Sequence, residues 1–130
     1  MHAPHSFDYA VVRVIPRIER EEFVNAGVIV HCYALGFLAA RVELDEARLL
    51  ALAPDVDLPL VRRHLEAIPR ICVGGPDAGP IGSLQQRERF SWLVAPRSTI
   101  LQTSATHSGM CADPEGALQR LLERTVRTAR

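Results

Sequence analysis

The chain has 130 residues, 48% hydrophobic and 23% charged, and its 15 basic and 15 acidic residues balance to a formal net charge of zero. That length suits one domain with a real core, and the neutral balance argues against a nucleic-acid binder, whose footprint is a basic excess. Every basic residue is arginine and none is lysine, which excludes Schiff-base chemistry and a lysine nucleophile on this chain.

"DYAVVRVIP", residues 8–16, is the first predicted strand, rich in β-branched residues and stopped by Pro16. Ala10, Val12 and Val14 form one apolar face; on the other, Arg13 interrupts Tyr9, Val11 and Ile15. "RIEREEFVNAG" is charged enough for a turn or two of helix ended by Gly27. "VIVHCY" and "FLAARVEL" are the next two strands, joined as a hairpin through Gly36. In the latter, Leu38, Ala40, Val42 and Leu44 point inward, Arg41 and Glu43 outward.

Asp45 N-caps a predicted helix through Ala53, and Asp57 caps a longer one with a stripe of Leu58, Val61, Leu65, Ile68 and Cys72. Pro69 should end or kink that helix. "VGGPDAGPIGS" is a loop. It lacks a P-loop's lysine. Phe90, Trp92 and Val94 alternate as a fourth strand with Trp92 in the core, and Thr99 to Thr103 suggest a fifth. Asp113-Pro114-Glu115 opens a last helix with Leu118, Leu121, Leu122, Thr125 and Val126 buried. The predicted fold is α+β: a single domain over 1–130 (core about 7–128), with a largely antiparallel sheet of about five strands and helices packed on one face.

Cys32, Cys72 and Cys111 are odd in number, far apart and outside any zinc-ligand spacing. Neither a disulfide framework nor a metal site is expected, and no cofactor is called for. Cys111, close before the Asp113 cap, is either a thiol acidified by a helix N-terminus or a plain buried cysteine. The N-terminus carries no signal-peptide pattern and no apolar run is long enough to span a membrane. The expectation is a soluble cytoplasmic protein, with no membrane and no nucleic acid among its partners.

The polar stretch "RFSWLVAPRSTILQTSATHSG" stands out, and with "EREEFVNAGVIV" it carries a resemblance. An E-(F/L)-V-N-(V/A)-G-V element matches Glu22 to Val28. An R-F-x-W-L-x-A-P-R-S element matches Arg89 to Ser98, followed by Gln102, Ser104 and His107-Ser108-Gly109. In both, the chain resembles the bacterial domain of unknown function 3037 family, from Tyr9 to the last helix. It departs at Ala105, where the family pattern has a nearby proline. The resemblance implies no activity. Members are often encoded beside a HipA-like kinase, which implies a protein partner.

The residues themselves allow more than one chemistry. Arg97, with Ser98 beside it, can grip an anion bidentately; equally, Arg97 can cap a helix C-terminus or pair with a surface acid. His107 is the catalytic candidate, as general base or second anion contact, or a hydrogen-bonded structural residue. Gln102 and Ser104 add donors. Glu22 and Asn25 either position Arg13 or Arg97 or shape the turn into the second strand; Arg13 is a second anion clamp or a snorkelling edge residue.

Three functions follow. The first is a binding or adaptor domain working with a protein partner, such as the kinase-like neighbour. The second is an enzyme or sensor that binds a phosphorylated small molecule or nucleotide, an anionic ligand held by Arg97, Ser98 and His107. The third is a purely structural domain. Convergence of Arg13, Glu22, Arg97 and His107 in one pocket would favour a small ligand. Scatter beside exposed apolar side chains would favour a protein interface.

Overall fold

The β-branched runs of the N-terminal half make long strands. In the computed structural model, which describes residues 3–97 and 99–127, three of them form a meander. β1 (His5–Val14), β2 (Val24–Cys32) and β3 (Phe37–Val42) lie antiparallel in the order β3-β2-β1. The far edge of β1 is shared by two short strands. β4 (Leu101–Thr103) pairs with Val12 to Val14, and β5 (His107–Cys111) with His5 to Tyr9, both antiparallel. The expected α+β class and five-stranded antiparallel sheet are both present.

α1 (Glu46–Leu52), α2 (Leu58–Val73) and α3 (Gln86–Val94) contribute to the core on one face of this sheet, and α4 (Pro114–Thr125) to the core on the other. Helices on one face describes the first three and not the fourth. The reason lies in β2, which is apolar on both sides. Ile29 enters the core with α2, while Val28, Val30 and Cys32 enter the core with α4.

A bulge sets which side chains face which way. Val12 pairs with Gly27 and Arg13 with Asn25, leaving Ala26 as the extra residue. The bulge reverses the facing of β2, so Val24 and Ala26 join Ile29 in one core. A Cβ on Gly27 would stand 2.8 Å from the Arg41 carbonyl oxygen. Gly27 is therefore a mid-strand packing glycine and ends no helix. The charged segment before β2 makes only a 3-10 turn, Ile18–Arg20.

The capping residues behave as their side chains predict. Asp45 accepts from the Arg48 N–H and Asp57 from the Leu60 N–H, each at 3.1 Å. The α2 stripe is buried through Val61, Leu65, Ile68 and Cys72. Pro69 does not end it; α2 continues through Pro69 to Val73.

The predicted fourth strand is a helix. Phe90 and Leu93 are buried three residues apart on α3, and Trp92 is 38% exposed instead of core. The alternation of Phe90, Trp92 and Val94 was too short to separate a period of 2 from one of 3.6. Glu88 also accepts from the Gln85 N–H at 3.4 Å, the reach-back of a helix start. Arg89 ties this helix to the end of α2, donating to the carbonyls of Ile71 (2.9 Å), Cys72 (3.2 Å) and Leu84 (2.6 Å). The strand predicted at Thr99 to Thr103 is present as β4, and β5 is an additional strand in which Gly109 lies under Phe7; a Cβ there would meet the ring at 2.8 Å.

Candidate functional site

After α3 the chain turns at Ala95-Pro96 and runs along the edge of the sheet. Arg97 folds back: its guanidinium donates to the Trp92 carbonyl and lies 4.5 Å from the Trp92 ring centroid. Helix capping is thus one of its contacts. Arg97 also borders two clefts. One, of about 130 Å³, opens between α2, α3 and β4, with Val12, Ile68, Ile71 and Leu93 among its floor residues and His64 and Trp92 at the side. The other, of about 230 Å³, is shallower and more polar, bordered by Pro96, Gln102, Ser104 and Thr106. Ser98 lies outside the described residues.

Gln102 and Ser104 share that second cleft with Arg97, and the other described candidates do not line it. Ser104 is buried where β1 passes from one edge partner to the next. Its hydroxyl accepts from the Val11 N–H at 2.9 Å and donates to the Ala105 carbonyl at 2.9 Å, while its own N–H bonds the Val11 carbonyl at 2.8 Å. Gln102 donates to the Thr99 carbonyl at 3.1 Å. His107 is exposed, opposite Tyr9, its ring centroid 5.3 Å from the tyrosine's. Arg97 and His107 therefore lie toward different faces of the sheet. One stands with the residues around α2 and α3, the other with Tyr9, which packs on the α4 core.

Arg13 sits between Asn25 on β2 and Gln102 on β4. Its guanidinium carbon is 4.3 Å from the Phe23 ring centroid. Asn25 donates to the Thr125 carbonyl at 2.9 Å, tying the bulge to the last turn of α4. Arg13 Nε and Asn25 Oδ1 are buried without a partner among the described residues. Glu22 reaches neither arginine candidate. It pairs with Arg20 at 2.5 Å in an exposed loop, and that hydrogen bond holds its carboxyl below the usual range.

All three cysteines are buried and free. Burial pushes the Cys72 thiol up to about 12, and Cys111 is buried with its thiol likewise raised by desolvation. Of the two readings of Cys111, the plain buried cysteine is the one that fits. Among the described residues no group of three His, Cys, Asp or Glu side chains could hold a metal ion, and no helix is long and apolar enough to cross a membrane.

The model of one family, described as a protein of unknown function (DUF3037), matches residues 9–126, nearly the whole chain. The chain belongs to the DUF3037 family. No curated protein and no solved structure matches it. For this DUF3037 chain the match spans every element from β1 to α4. Sequence reasoning missed His64 and misread Trp92, both at the cleft beside Arg97. The signal for Trp92 was the Gln85-to-Glu88 helix start, which puts it on a helix face and not on a strand.

Proposed function

We propose that this DUF3037 chain is a bacterial, cytoplasmic binding or adaptor domain that works with a protein partner. The partner its family resemblance implies is the HipA-like kinase encoded nearby. The observation that carries this reading is the dispersal of Arg13, Glu22, Arg97 and His107, each beside a different neighbour: Phe23, Arg20, Trp92 and Tyr9. A phosphate site would need several of these groups on one point. Large apolar side chains meanwhile face solvent. Tyr33 (71% exposed) and Leu35 (46%) form the tip of the β2–β3 hairpin, and Phe23 (41%) lies under Arg13. Tyr33 has the Arg87 guanidinium 5.7 Å from its ring, a pair of the residue types that dominate interface energetics. Co-expression of the two proteins tests the reading: the untagged kinase-like protein is expected to co-purify with the tagged domain through size exclusion. Separate elution at micromolar concentration contradicts it.

A further inference from the structure

The cleft between α2, α3 and β4 has a division of labour that partner docking does not require. Its floor is apolar and comes from three parts of the fold: Val12 on β1, Ile68 and Ile71 on α2, and Leu93 on α3. Its volume of about 130 Å³ is close to that of apolar protein cavities, about 150 Å³, that hold one benzene. Among the described residues, Arg97 and His64 are the ionisable groups that line the cleft, and no acid does.

Arg97 is already held for binding. Stacking on Trp92 and the bond to the Trp92 carbonyl fix the guanidinium before any ligand arrives, which lowers the entropy lost on capture. A planar guanidinium matches a carboxylate through paired N–H donors. A phosphorylated metabolite would ask for more. Beyond Arg97 and His64 only Thr99, Gln102 and Thr103 offer polar contacts, and the rest of a sugar phosphate would lie on a floor of valine, isoleucine and leucine.

We propose that this cleft is a binding site for a small carboxylic acid with a compact apolar body, its ring or branched chain on the floor and its carboxylate on Arg97. This goes beyond the adaptor reading and does not rest on it.

Trp92 is the only tryptophan in the chain and stands at the cleft, so its fluorescence reports occupancy. The purified chain is titrated with phenylacetate, with its neutral isostere phenylacetamide and with inorganic phosphate. Phenylacetate is expected to change the emission saturably with a Kd of about 1 mM or tighter, and the amide and phosphate to bind at least about tenfold more weakly. Arg97→Gln should remove that preference for the acid. Because Arg97 also caps α3, a second variant, Ala67→Phe, fills the cleft and should abolish binding while circular dichroism shows a folded chain. No saturable change with phenylacetate, equal binding of the amide or of phosphate, or undiminished binding in folded Ala67→Phe would each overturn the proposal.

Discussion

Ser104 stands where β1 has lost β4 as its edge partner and not yet gained β5. The Val11 N–H there has no strand to donate to, and the serine hydroxyl takes it. Ser104→Ala is expected to cost about 1–3 kcal/mol in urea unfolding, the penalty of a buried amide left without an acceptor. A variant as stable as the parent would show that the hydroxyl has no such role. His31 makes a second case. Its ring packs 4.8 Å from Phe90, and its Nε2 is buried without a partner among the described residues. Burial lowers its pKa below the ordinary 6.5, with Asp8 opposing and Arg87 assisting. The unfolded chain therefore binds the proton more readily. His31 leaves stability intact above pH 6.5 and reduces it as pH falls from there toward the lower folded value. The melting temperature should drop below that pH, and the drop should be smaller in His31→Phe; an identical drop contradicts the assignment. Neither role was legible in the sequence, because residue type fixes what a side chain can bond and not what stands beside it. Ser104 reads equally well as a ligand donor until Val11 is seen against it.

At the scale of elements, what was legible had period and punctuation together. β1 carries a β-branched run stopped by a proline, β3 carries clean alternation, α1 and α2 open on working aspartate caps, and α4 has its proline at the first position and a stripe through Leu118 and Leu122. α3 failed because three alternating residues fit either period. β5 was missed because an edge strand of His107, Ser108 and Met110, exposed on both sides of Gly109, gives no apolar alternation. Gly27 misled in the opposite direction: a glycine after a charged segment looks like a helix stop. In the fold it is the place where β3 comes too close for a side chain. Gly27→Ala is expected to destabilise by about 1–3 kcal/mol, the usual range for forcing an extra carbon into a packed site. Gly36→Ala makes the comparison, since a Cβ there meets nothing within 4 Å and only the left-handed φ of 62° opposes it. Equal stability of Gly27→Ala and the parent, read by chemical denaturation, would remove the close-approach argument.

For the molecule as a whole, the sheet is a wall with a core on each side, and the bulge sets which side the first residues of β2 occupy. The sequence grouped Arg97, Gln102, Ser104 and His107 because they are close along the chain. The fold keeps Arg97, Gln102 and Ser104 around one shallow cleft and takes His107 away from it, opposite Tyr9. Arg13, Asn25 and Gln102, distant in sequence, are the ones brought side by side. The proposed adaptor role rests on the separation of Arg13, Glu22, Arg97 and His107 and on a hairpin tip that presents Tyr33 and Leu35 to solvent. Isothermal titration of the purified domain against a purified HipA-like kinase, the proposed partner, tests that role most directly. The account predicts a complex with Kd of about 1 μM or tighter, weakened at least about tenfold by Tyr33→Ala, as for an exposed aromatic anchor. No binding at tens of micromolar, with both proteins folded, would contradict it.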